Sequence, residues 1–119
     1  MFKIKVIDYF SAAHNLRNYK GKCEDLHGHN YKVEVVINGK ELDEDGLLVD
    51  FKDVKASLKK VLSLLDHKYL NELQYFVGTN PTSENLAKYV YNELKELLQL
   101  KIDSVTIWET GSSAATYCE

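Results

Sequence analysis

Two cysteines in 119 residues allow at most one internal bridge, so a disulfide-held exported scaffold is not expected. One proline, Pro81, and six glycines act as punctuation, and no linker, repeat or low-complexity tract is present. Apolar runs are only a few residues long, too short for a transmembrane helix. The segment Met1-Phe2-Lys3-Ile4-Lys5-Val6 alternates instead of placing an apolar block after a charged one, so no signal peptide is expected. These absences together predict a cytoplasmic protein with free thiols. Excess positive charge is missing too. Fifteen Lys and Arg against eighteen Asp and Glu give a net charge of −3, which argues against a nucleic-acid surface.

What is present fits a soluble globular protein, with 45% apolar and 28% charged residues. The length suits a single domain spanning residues 1–119. So small a domain has a limited core, and association with copies of itself would bury more surface.

Residues 2–10 read as a strand, with Phe2, Ile4 and Val6 alternating with Lys3, Lys5 and Ile7. A loop with Asn15, Arg17, Asn18, Lys20 and Gly21 leads to a second strand over 26–38, where Tyr31, Val33, Val35 and Ile37 share a face. Asn38-Gly39 and the acidic stretch 41–46 form a solvated turn and loop. Asp50 or Asp53 can cap a helix over 51–65 whose stripe is Phe51, Val54, Leu58, Val61, Leu62 and Leu65. Pro81-Thr82-Ser83-Glu84 marks a second helix start, with a proline in the first turn, a hydroxyl cap and an early carboxylate. Its stripe is Leu86, Ala87, Val90, Leu94, Leu97 and Leu98. Strands near 103–109 and 114–118 close the chain around Gly111-Ser112-Ser113.

The order is ββααββ, an α+β domain with two helices on one face of a four-stranded antiparallel sheet. The other face carries Lys3, Lys5, Lys32 and Glu34. It either meets solvent or lines a wet barrel built from several sheets, which would also close the open edges.

The histidines carry the sharpest chemistry. His27-Gly28-His29 places two imidazoles at i and i+2, on one side of a strand. If the first two strands pair, His14 returns beside them. Three imidazoles without a fourth protein ligand suit a catalytic zinc with open positions; loop histidines with ordinary hydrogen bonds are the plainer account. Cys23 has three readings: a base or nucleophile beside a metal, a fourth ligand of a closed structural site, or an inert small hydrophobe. Asp66-His67 is either an oriented acid–base pair or a favourable charge at a helix end. Glu109 ends an apolar strand, and its two oxygens could accept from two adjacent N–H groups, the edge that guanine-like and pterin rings present. Cys118 has no constellation around it.

These fragments resemble the 6-pyruvoyl-tetrahydropterin synthase family, which includes the queuosine-pathway 6-carboxy-5,6,7,8-tetrahydropterin synthases. The resemblance covers nearly the whole chain. It rests on Phe10-Ser11-Ala12-Ala13-His14, Cys23-Glu24-Asp25-Leu26-His27-Gly28-His29, Val49-Asp50-Phe51, Leu65 to Asn71, Asn80-Pro81-Thr82-Ser83-Glu84 and Trp108-Glu109-Thr110. It implies zinc on His14, His27 and His29, proton transfer by Cys23, Asp66 and His67, and substrate binding by Glu109, Thr82 and Ser83. It also implies the T-fold, a trimeric twelve-stranded barrel, hexamers made of two trimers, and active sites between subunits. The implied reaction takes 7,8-dihydroneopterin triphosphate to 6-carboxytetrahydropterin, acetaldehyde and triphosphate. Alternatives are the pyruvoyl-forming elimination, a folate-bypass enzyme making 6-hydroxymethyl-dihydropterin, in which a glutamate such as Glu24 would act, or a zinc- or pterin-binding module without activity. Glu24 is read here as a loop charge. Arg17, Lys20, Lys22 and Lys68 are phosphate-contact candidates by charge and position.

Overall fold

The structure, a computed structural model, describes residues 1–119. Strand β1 spans Phe2–His14 and pairs antiparallel with β2, His27–Gly39, from Phe2 opposite Gly39 to His14 opposite His27. Helices α1 (Phe51–Leu62) and α2 (Ser83–Leu98) follow, and β3 (Ile102–Thr110) and β4 (Ser113–Tyr117) complete a sheet in the order β1-β2-β3-β4. The long β1–β2 ladder accounts for most of the 55 Å longest dimension, since thirteen-residue strands extend roughly 43 Å.

Strand alternation sorts the sheet into two faces. Val6, Phe10, Ala12 and His14 of β1, with Tyr31, Val33, Val35 and Ile37 of β2, are buried on the helix side. Val54, Leu58, Val61 and Leu62 of α1 and Leu86, Ala87, Val90, Tyr91 and Leu94 of α2 complete this core. Asp50 caps α1 by accepting from the Lys52 N–H at 2.9 Å. Thr82 caps α2 by accepting from the Asn85 N–H at 3.1 Å. Pro81 therefore precedes the cap instead of opening the first turn.

Four boundaries and packing positions differ from the sequence reading. β1 continues four residues past Phe10, because Ser11 to His14 find backbone partners on both sides: β2 on one, and residues 67–69 on the other. α1 ends at Leu62, and Leu65 reaches the core from the turn that follows. Phe51 and Leu97, assigned to the apolar stripes, are exposed at the helix ends. Short 3-10 turns at Leu70–Glu72 and Gln74–Phe76 send Leu70 and Phe76 into the core.

The uncovered face is polar as expected. Glu34 sits among Lys5 (3.5 Å), Lys32 (3.5 Å) and the indole N–H of Trp108 (3.2 Å), and Lys3 reaches Asp103 at 3.4 Å. No helix is long and apolar enough to cross a membrane.

Candidate metal centre

The β1–β2 register builds the site. His14 stands opposite His27, and Ala12 opposite His29, so alternation puts all three imidazoles on the covered face at one end of the ladder. One nitrogen from each ring lies within 4.8 Å of the other two. The Nε2 atoms of His14 and His27 are 3.1 Å apart.

The opposite ring nitrogens are engaged by the backbone. His14 Nδ1 lies 2.8 Å from the Pro81 carbonyl, and His27 Nδ1 lies 2.9 Å from the Asp25 carbonyl. A carbonyl only accepts, so each Nδ1 carries a proton, and the neutral form of each ring has its bare Nε2 lone pair toward the centre. His29 Nε2 is buried with no hydrogen-bond partner. Burial, foremost, and the neighbouring His14 and His27 lower the His29 pKa, while the Glu109 carboxylate opposes them. The balance favours the neutral imidazole that a metal needs.

Facing lone pairs at such distances repel unless a cation lies between them. Two donors on one tetrahedral zinc, at about 2.0–2.1 Å each, would stand about 3.3 Å apart, close to the spacing seen. The three histidines therefore fit a divalent metal in donor type, and His14 and His27 also in tautomer. Tyr31 supports them from below. Its hydroxyl lies 3.2 Å from His14 Nδ1, its ring stacks on Phe10 with centroids 4.7 Å apart, and burial raises its phenol well above the usual range.

Glu109 flanks the cluster, with Oε1 3.3 Å from His14 Nε2 and 3.4 Å from His29 Nε2. Cys23 is exposed and lies outside the mutually close set, so within this chain it is not a fourth member of the imidazole cluster. Glu24, its neighbour, accepts from the Leu16 N–H at 3.2 Å while its own N–H donates to the Leu16 carbonyl at 2.9 Å. Those bonds tie the carboxylate into the loop.

Asp66 and His67 form a pair on the outer edge of β1. Asp66 accepts from the Ser11 N–H at 2.9 Å and from His67 Nδ1 at 2.9 Å. The Ser11 bond, chiefly, then His67, hold the Asp66 carboxyl below its usual range against partial desolvation. His67 has a left-handed φ of 58°, which costs a non-glycine residue roughly 1–2 kcal/mol. Its N–H donates to the Ser11 carbonyl at 2.6 Å, and Lys68 accepts from the Ala13 N–H at 3.0 Å. These strand-like bonds hold the strained residue and leave its imidazole exposed beside a cavity of about 520 Å³ lined by Ser11, Ala13, His29, Asn30, His67 and Tyr69. Ser11, Ala13 and Asn30 belong to the uncovered face and His29 to the imidazole cluster, so this cavity opens at the end of the β1–β2 ladder with His67 at its β1 edge.

Thr82 and Ser83 follow Pro81, whose carbonyl holds His14, so the head of α2 abuts the cluster. Arg17 is engaged structurally. Its guanidinium donates to the carbonyls of Thr79 and Asn71 at 3.3 and 3.0 Å. Sequence reasoning missed Asn71 and Asn80, whose amides pair reciprocally with the backbones of Asn15 and Arg17 and continue the ladder past His14. Both lie within the blocks that carry the resemblance, but nothing local pointed to this role. Tyr31 was legible, because His27, His29 and Tyr31 follow the same alternation.

A family model described as 6-pyruvoyl tetrahydropterin synthase matches residues 3–119. The chain belongs to that family. Within the 6-pyruvoyl tetrahydropterin synthase family, it is 36% identical to the 6-carboxy-5,6,7,8-tetrahydropterin synthase of Haemophilus influenzae, with all of both chains covered. It is 38% identical to the Synechocystis enzyme of the same name, over 91% of this chain and 86% of that one. The structure of Caenorhabditis elegans 6-pyruvoyl tetrahydropterin synthase superposes with a TM-score of 0.87 at 31% identity, covering 99% of this chain and 95% of that one. The architecture is the T-fold of this family.

Proposed function

We propose that this chain is a zinc-dependent 6-carboxy-5,6,7,8-tetrahydropterin synthase acting on 7,8-dihydroneopterin triphosphate in the cytoplasm, in the route to queuosine. The observation that carries the reading is the convergence of three imidazole nitrogens, two of them with tautomers set by backbone carbonyls. Full-length similarity to relatives bearing that name supports the product.

His14, His27 and His29 would hold the zinc, which supplies Lewis acidity to the hydroxyls of the substrate side chain. Glu109 would accept two parallel N–H bonds from the pterin ring and fix its orientation. Thr82 and Ser83, at the head of α2, would line the same pocket. Cys23 would take a proton from the side-chain carbon. His67 would exchange a second proton through Nε2, because Asp66 engages Nδ1 at 2.9 Å. The strained His67 backbone suits such a role, since strain of this kind collects at functional sites. Cys23 stands outside the imidazole set within one chain and the Asp66–His67 pair sits at the open β1 edge, which favours sites completed by a neighbouring copy in a trimeric barrel, with two trimers forming a hexamer.

The test is product analysis after incubating the purified protein with 7,8-dihydroneopterin triphosphate. The expected products are 6-carboxytetrahydropterin and an equal amount of acetaldehyde. Cys23→Ala should abolish turnover while the metal stays bound. Pyruvoyl-tetrahydropterin would instead support the second reading, which the Caenorhabditis elegans likeness favours. Hydroxymethyl-dihydropterin would move the chemistry to Glu24, whose bonds to Leu16 support a structural role instead. Metal without turnover would leave a binding module.

A further inference from the structure

Glu109 has two claims on one carboxylate. β3 pairs Trp108 with Ala114 and Thr110 with Ser113, so Glu109 falls where the register shifts. A bulge re-aims a side chain out of the regular ladder. On the other side, pairing with β2 ends at Lys32 opposite Trp108, which leaves Glu109 beside Tyr31 and next to His29 on the covered face. Its Oε1 then stands 3.3 Å from His14 Nε2 and 3.4 Å from His29 Nε2. Toward these two of the three histidines the distances match the separation of about 3.3 Å for two donors on a tetrahedral zinc, while the mutually close set itself holds only the three imidazoles. An ionised carboxylate only accepts, and His29 Nε2 makes no hydrogen bond to it.

From these contacts we infer that Glu109 is shared between metal and substrate. Its carboxylate closes the metal site as a displaceable fourth ligand when no pterin is bound, and it leaves the metal when a pterin ring takes it as acceptor. This rests on the function proposed above. The exchange makes opening of the metal site depend on a ring that carries the right N–H edge, and keeps adventitious ligands off the ion until that ring arrives. A pterin without side-chain hydroxyls takes the carboxylate and returns nothing to the metal. Such a ring and the metal must therefore weaken each other's binding by the same factor.

Zinc affinity, measured by competition with a chromophoric chelator, tests this for the wild-type protein, Glu109→Gln and His14→Ala, each with and without saturating 6-methyl-7,8-dihydropterin. The inference expects Glu109→Gln to bind zinc about 10-fold more weakly or worse, at least the effect of losing an outer-shell partner. It also expects the pterin to weaken zinc binding in the wild type and leave Glu109→Gln unaffected. The wild-type linkage needs no variant, so it stands even if Glu109→Gln folds poorly. Unchanged zinc affinity in a folded Glu109→Gln, or no effect of the pterin on the wild type, overturns the inference. If zinc is still lost in His14→Ala, the proposed function survives that result. A wild-type protein that binds no stoichiometric zinc overturns both.

Discussion

Replacing Asn80 with alanine should loosen the loop that carries Cys23 without touching a reacting group. Asn80 Oδ1 accepts from the Arg17 N–H at 2.8 Å, and Nδ2 donates to the Arg17 carbonyl at 3.1 Å. The side chain thus serves as one residue of a β-strand for a segment that has no strand beside it. Each bond is worth about 0.5–1.5 kcal/mol net, so Asn80→Ala should cost about 1–3 kcal/mol. An unfolding entropy of about 2.1 cal/mol/K per residue makes 1 kcal/mol equal to about 4 °C at this chain length, so Tm should fall by about 4–12 °C. Circular dichroism melts at matched protein concentration would read this, because self-association makes Tm depend on concentration. Trypsin supplies a local readout: Lys20 and Lys22 lie in the loop, and cleavage there should accelerate more than the global destabilisation requires. A Tm within about 1 °C of wild type, or trypsin nicking at the wild-type rate, would refute the amide-ladder argument.

Removing the α2 cap with Thr82→Ala should cost about 0.5–2 kcal/mol, with Thr82→Ser restoring most of it in a thermal melt. An unchanged Tm in Thr82→Ala would show that the cap contributes nothing. Asp66 gives a pH-dependent prediction. Its folded pKa is lowered, so the stabilisation is complete above the unfolded value of about 3.9 and disappears as pH falls through the lower folded value. The Tm difference between wild type and Asp66→Asn should therefore be larger at pH 6 than at pH 3. A gap of equal size at both would contradict the assigned bonds.

Much of the fold was legible because it rests on periodicity. Tyr31 to Ile37 and the two helical stripes each mark a buried face, and Asp50 and Thr82 sit where caps belong. The end of β1 was not legible, because Ser11-Ala12-Ala13 has little strand preference of its own and is ordered by partners at 28–30 and 67–69. That extension is what brings His14 opposite His27. The 3-10 turns at 70–76 are too short to show a period. For the site, residue types and the His-x-His spacing exposed the three imidazoles, Glu109 and the Asp66–His67 pair as candidates. Their surroundings stayed hidden: the Pro81 carbonyl lies 67 residues from His14, and Asn80 lies 63 residues from Arg17. The left-handed His67 was equally invisible, since sequence pattern carries no sign of a φ imposed by tertiary hydrogen bonds.

Metal content of the purified chain tests the central claim most directly. The account predicts about one zinc per chain, removable by chelation, restored on re-addition, and lost in both His14→Ala and His29→Ala while the fold persists by circular dichroism. A metal-free protein that cannot be loaded, or zinc retained at full stoichiometry in both variants, would contradict it.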